Sequence, residues 1–135
     1  IGKAKILREG EDGTDVSFSL MLNRVLEAAE ALASDGISVE VIDLRTIRPL
    51  DVETIVRSIR KTNRLVSVEE GWPQSGIGAE LAALAMEHCF DDLDAPVVRV
   101  ARKEVPMPYA ANLERMALPQ TADVIEACKT VTYRT

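Results

Sequence analysis

LVSVEEGWPQSGIGAEL, residues 65–81, carries an apolar run into two glutamates, then a loop with three glycines, then small and apolar residues at helical spacing. Strand, glycine loop and helix form one repeat of an α/β fold. The same grammar builds a phosphate cradle, with backbone N–H groups gathered at a helix N-terminus. The stretch therefore bears on both fold and function.

Working outward, ISVEVIDL (37–44) is a β-branched run of strand length, and RLVSVEE supplies the next strand. Between them Asp51 is placed as an N-cap with Glu53 in the first turn. The helix it opens sets Val52, Ile55, Val56 and Ile59 on one side. Upstream, Leu22, Val25, Leu26, Ala29, Leu32 and Ala33 recur at helical spacing. SDG at 34–36 stops that helix, with Gly36 suited to a left-handed cap. KAKILR (3–8) and TDVSFS (14–19) flank EGEDG and read as two strands of a hairpin. Downstream, residues 79–89 predict a helix with Leu81, Leu84, Ala85 and His88 in line, and APVVRVA predicts a strand. Pro106 and Pro108 hold VPMPYA extended. Short helices are expected near 111–117 and 122–131. The alternation predicts an α/β three-layer α/β/α sandwich on a mostly parallel five-stranded sheet. The first strand is its one antiparallel edge.

The 135 residues are the length of a single domain, and 47% apolar with 28% charged residues is ordinary globular composition. No apolar run approaches the ~20 residues that span a bilayer, and no signal peptide is visible, so no membrane role is expected. A net charge of −6 speaks against a nucleic-acid partner, which needs clustered Lys and Arg. The charge is uneven: residues 1–67 hold 10 basic and 11 acidic side chains, residues 68–135 hold 6 and 11. A basic protein partner would be drawn to the second half, although a solvated acidic surface has the same composition. Cys89 and Cys128 are far apart, with neither disulfide-framework nor metal spacing, and suit a reducing compartment. A start at Ile1 is expected of a processed chain or a piece of a longer one.

As a phosphate site the central loop is weak. Gly76-Ile77-Gly78 lacks the full GxGxxG pattern, and no Lys-Ser/Thr follows. Glu69 and Glu70 would repel a phosphate, and Trp72 and Pro73 are bulky for a cradle. Loop shaping or subunit contact is the better reading, the glycines permitting close backbone approach. Asp43, Arg45 and Arg48 read either as an anion site or as an ion-paired network tying the sheet to the helix at 51–60. His88, the single histidine, reads as a packed residue near a helix C-terminus, and Cys128 as a small core residue beside Val124 and Val131. No Ser-His-Asp set, carboxylate-pair motif or diphosphate–metal motif is present. No catalytic, cofactor-binding or metal-ligating residue is assigned.

Four segments in order, VEVIDLRTIRPLDVETI, KTNRLVSVEEGWPQSGIGAE, DAPVVRV and EVPMPYAANLE, resemble the C-terminal domain of the pyruvate dehydrogenase decarboxylase β subunit. That domain is similar in fold to the transketolase C-terminal domain. The resemblance implies an enzyme that decarboxylates pyruvate with thiamine diphosphate and magnesium and passes the acetyl unit to a lipoyl group. Branched-chain oxoacid and acetoin dehydrogenases are the substrate alternatives, and a free-standing nucleotide or coenzyme-binding module is the alternative of another class. In the family the cofactor lies between the α subunit and the β subunit's N-terminal thiamine-pyrimidine-binding domain, which is not in these residues. Residues 1–135 are thus expected to bind no cofactor and to be inactive by themselves.

What the resemblance implies instead is assembly. The partners are a second β subunit, the α subunit, and the basic peripheral subunit-binding domain of the dihydrolipoyl acetyltransferase. An acidic residue before VPMPYA and the terminal carboxylate meet that basic domain, here Glu104 and Thr135, while Trp72 is expected at a subunit contact or, equally, packed in the domain's own core. Arg102-Lys103 departs from the family's small residues, as Asp15 does in GTDVSFS, where relatives carry a longer apolar run. The compartment implied is bacterial cytoplasm, or the mitochondrial matrix.

Overall fold

In the computed structural model, residues 3–18, 21–45, 50–69, 76–101, 103–104, 116–117 and 119–134 are described. The elements are β1 (Lys5–Arg8), β2 (Gly13–Ser17), α1 (Met21–Ser34), β3 (Val39–Asp43), α2 (Val52–Thr62), β4 (Leu65–Val68) and α3 (Ile77–Cys89). A 3₁₀ turn (Phe90–Asp92), β5 (Val98–Val100), β6 (Lys103–Glu104), β7 (Met116–Ala117) and α4 (Thr121–Val131) follow. Five strands form one sheet in the order β1-β3-β2-β4-β5. All its pairs are parallel except β1 with β3.

Pleating sends alternate side chains of each strand to opposite faces, and both faces are covered. Toward one side, Val39, Val41, Val66, Val68 and Val100 pack with Val25, Ala29 and Leu32 of α1 and Val124, Ala127 and Val131 of α4. Toward the other, Val16, Ile42 and Leu65 meet Ile55 and Ile59 of α2 and Leu81, Leu84 and Ala85 of α3. This is the expected α/β/α sandwich. Asp51 caps α2 as its position predicts: Oδ1 accepts from the Thr54 N–H at 3.2 Å and Oδ2 from the Thr54 hydroxyl at 2.7 Å. Oδ2 also accepts from the Ala4 N–H at 2.9 Å, tying the start of β1 to this helix. Burial works to raise the Asp51 pKa, but these hydrogen bonds, with Lys3 nearby, outweigh it and hold the carboxyl below its usual range. Gly36 takes φ +81°, the left-handed cap expected after α1.

The hairpin is not there. β2 has both edges occupied by parallel neighbours, β3 and β4, so β1 passes over to the free edge of β3 and runs antiparallel to it. The connecting turn is pinned to β3. The N–H groups of Glu11 and Asp12 both donate to the Ser38 carbonyl, at 3.2 and 2.7 Å. Gly10 lies so close to the Val39–Glu40 peptide that a Cβ there would stand 2.3 Å from the Val39 carbonyl carbon. The helix expected near 111–117 is also corrected at its end: Met116–Ala117 is a strand, paired antiparallel with Lys103–Glu104 in a two-stranded ribbon. VPMPYA lies outside the described residues.

Glu40 and Asp15, on neighbouring strands, are carboxylates buried on opposite faces of the sheet. Glu40 faces α2 and accepts from the Gly10 N–H (3.2 Å), the Ser58 hydroxyl (2.6 Å) and the Lys61 ammonium (2.5 Å). The Glu40 hydrogen bond raises the Lys61 pKa against its partial desolvation. Thr14 extends the network, 2.7 Å from Ser58 Oγ and 2.6 Å from Thr62 Oγ1. Asp15, opposite Val41 and Val66 in register, points the other way and meets only a thiol among the described contacts, with Cys128 Sγ at 3.1 and 3.3 Å from its two oxygens.

Candidate functional site

In an open α/β sheet the ligand-binding edge is the carboxyl end of the parallel strands, here the residues after Ser17, Asp43, Val68 and Val100. Two loops at this edge are candidates. After β3, Arg45 adopts φ 60° and folds back on its own strand. Its N–H donates to Asp43 Oδ1 at 3.0 Å and its Nε lies 3.6 Å from Asp43 Oδ2. The pair is local to the turn and does not reach α2; Arg48 lies outside the described residues.

After β4 the geometry is more informative. Glu69, 3% exposed, turns its carboxylate onto the first turn of α3: Oε2 accepts from the Gly78 N–H at 2.6 Å, and Oε1 lies 3.4 Å from Arg99 Nη2 on β5. The Glu69 N–H donates to the Val100 carbonyl at 2.9 Å, so this residue bridges β4, β5 and α3. Gly76 and Gly78 are needed by that carboxylate. A Cβ on Gly76 would sit 1.9 Å from Glu69 Oε1, and one on Gly78 would sit 2.9 Å from Ser67 Oγ and 2.7 Å from Arg99 Nε. The helix terminus that a phosphate would occupy is thus filled by the protein's own anion.

The remaining candidates are placed as follows. His88 is exposed on the last turn of α3, with its carbonyl accepting from Arg60 Nη2 at 3.1 Å, so the expectation of a packed histidine is corrected. Leu81, Leu84 and Ala85 of the same stripe are buried as expected, and on the last turn Cys89 is buried in place of His88. Cys128 is buried in the core as expected. Burial, with the neighbouring Asp15 carboxylate, pushes its thiol pKa far up. Burial likewise raises Asp15 to about 7, against a smaller lowering effect of the Cys128 hydrogen bond. Glu104 is part of β6, though its side chain lies outside the described residues, as do Trp72 and Thr135. Among the described residues no three His, Cys, Asp or Glu side chains converge on a possible metal position. None of the described helices is long and apolar enough to cross a membrane.

The family profile described as "Transketolase, C-terminal domain" matches residues 2–124. The chain belongs to the transketolase C-terminal domain family. Its relatives include the mitochondrial pyruvate dehydrogenase E1 component subunit beta of Dictyostelium discoideum, 62% identical over 99% of this chain and 38% of that protein. The beta-1 subunit of Arabidopsis thaliana is 61% identical over 99% of this chain and 37% of its own length. The pyruvate dehydrogenase E1 component subunit beta of Rhizobium meliloti (strain 1021) is 54% identical over 99% of this chain and 29% of its own length. The chain therefore spans well under half the length of these curated relatives. Among solved structures, a split-gene transketolase described as an inactive beta4 tetramer superposes with a TM-score of 0.79 at 31% identity, covering 99% of this chain and 43% of that one. A 2-oxoglutarate:ferredoxin oxidoreductase, at TM-score 0.63 and 11% identity, shares the fold.

The Gly76–Gly78 turn does not fit the diphosphate of a thiamine cofactor. The Gly76–Gly78 turn has no room left beside Glu69, and the Glu69 carboxylate would oppose a second anion.

Proposed function

We propose that this chain is the C-terminal domain of the β subunit of a thiamine-diphosphate-dependent pyruvate dehydrogenase, and that its work is assembly. The observation that carries the reading is the 54–62% identity, over almost the whole chain, to subunits of that name from a slime mould, a plant and a bacterium. A thiamine-pyrimidine-binding domain would precede residue 1 in the complete subunit, and catalysis with thiamine diphosphate and magnesium would belong to the complete enzyme. Relatives come from both bacteria and mitochondria, so both compartments are compatible with this role.

The partners in this reading are a second β subunit, the α subunit and the basic subunit-binding domain of a dihydrolipoyl acetyltransferase. Glu104 and the terminal carboxylate of Thr135 would meet the basic domain, and Trp72 would anchor a subunit contact through its large rigid area. The acidic second half supports such a partner by charge. The internally capped α3 terminus weighs against the alternative of a coenzyme-binding module.

Reversing the charge at residue 104 tests the docking surface. Glu104→Lys turns an attractive contact into a repulsive one, so affinity for the purified subunit-binding domain falls at low salt, and the loss shrinks as salt screens it. An unchanged affinity at low salt removes Glu104 from the interface.

A further inference from the structure

A helix N-terminus carries a partial positive charge and unpaired N–H groups that favour anions. At α3 a buried side chain adds to this. Ser67 Oγ is buried, has no hydrogen-bond partner, and lies 2.9 Å from where a Cβ of Gly78 would stand, beside the first turn of the helix. Buried hydroxyls without a partner are uncommon in folded proteins. Arg99 closes this turn from β5 through its contact with Glu69. The Gly78 N–H and the Arg99 guanidinium thus hold the Glu69 carboxylate in a space shaped by two glycines, and the Ser67 hydroxyl lies beside that space without bonding to the carboxylate.

We propose that this turn is an oxyanion site whose resident ligand is the Glu69 carboxylate, and that a small free carboxylate takes its place when that side chain is removed. The site accepts a small, singly charged carboxylate because the Gly78 N–H and the Arg99 guanidinium already hold one there. Its function in the native chain is to bind β4, β5 and α3 into one unit through an internal charge-assisted contact. Free anions are excluded as long as Glu69 is in place. This contact belongs to the chain's own folding and does not depend on the assembly role.

The test is chemical rescue of the full chain with sodium formate, followed by thermal unfolding. Glu69→Ala melts below the wild type in sodium chloride. Formate at equal ionic strength then raises its melting temperature in a saturable manner. Formate leaves the wild type and Glu69→Gln at their values in chloride, because a side chain of the same shape already fills the space in both. If Glu69→Ala is unfolded in chloride, formate restores its helical circular dichroism. Two results overturn the proposal: a Glu69→Ala chain that formate neither stabilises nor refolds, and a formate effect of equal size in Glu69→Ala, Glu69→Gln and the wild type.

Discussion

Asp15→Asn gives the sharpest test of the energetics. Asp15 is 1% exposed, in the middle of the central strand, and its described partner is the Cys128 thiol. Such a site disfavours the charged form, and burial moves the carboxyl from 3.8 to about 7. The native state then keeps this proton up to about pH 7, whereas the unfolded chain releases it near 3.8. Between those values the native state binds more protons than the unfolded state, so this group's contribution to stability declines as pH rises. The penalty is absent below about pH 4 and complete above about pH 7. At ~1.4 kcal/mol for each tenfold change in proton affinity, it reaches about 4 kcal/mol. That is a large share of the ~5–15 kcal/mol by which domains are stable. The asparagine side chain keeps the shape without the charge. Urea unfolding of both proteins at intervals from about pH 4 to 8, extrapolated to water, gives the difference directly. The stability of the Asp15→Asn protein relative to wild type increases by about 4 kcal/mol across that range. Parallel stability profiles would refute the reasoning, since contributions such as that of Asp51 are common to both chains.

Further expectations concern glycine packing. Gly10→Ala forces a Cβ onto the Val39–Glu40 peptide, which is backbone and has no room to yield, so urea denaturation should show a loss of about 3 kcal/mol. A loss below about 0.5 kcal/mol would mean the crossover from β1 to β2 is not pinned as described. Gly76→Ala displaces the Glu69 carboxylate from its hydrogen bonds and costs about 2 kcal/mol in the wild type. In a Glu69→Ala background the same change is nearly neutral, and a double-mutant cycle measures the coupling. Equal costs in both backgrounds would show that Gly76 is constrained by something other than Glu69.

The layering was legible in the sequence because it rests on strong local signals. Asp51 ahead of a one-sided apolar helix, SDG after another, and β-branched runs between them leave little choice but an alternating fold. The pairing of β1 was not legible. EGEDG has the composition of a tight turn, but turn residues say that the chain reverses and not which edge is open to it. That depends on β2 having parallel neighbours on both sides, which is a property of the whole sheet. His88 was misplaced because the stripe it shares with the buried Leu81, Leu84 and Ala85 does not continue to the end of α3, where Cys89 is buried instead.

The sites were legible in outline only. Glu69 stood out as an anion beside a glycine loop and was read as repelling a ligand. The signal for its true place was available: an acidic residue ending a strand, followed by a helix whose first turn has glycines and no side-chain cap. Asp15 stood out only as a departure from an apolar run, and Glu40 is likewise a charge within a strand at a position where alternation demands burial. What no local pattern supplies is the partner. Cys128 lies 113 residues from Asp15, and Arg99 lies 30 from Glu69. Trp72, Thr135 and the Glu104 side chain remain expectations drawn from the family pattern.

The assembly role is tested most directly by the mass of the chain in solution, first by itself, then mixed with a purified α subunit and with a purified subunit-binding domain. Light scattering coupled to size-exclusion chromatography gives each mass. The account predicts that the 14.8 kDa chain either dimerises or is captured by one of these partners, and that capture of the basic domain weakens with salt. A chain that stays monomeric and binds neither partner contradicts it.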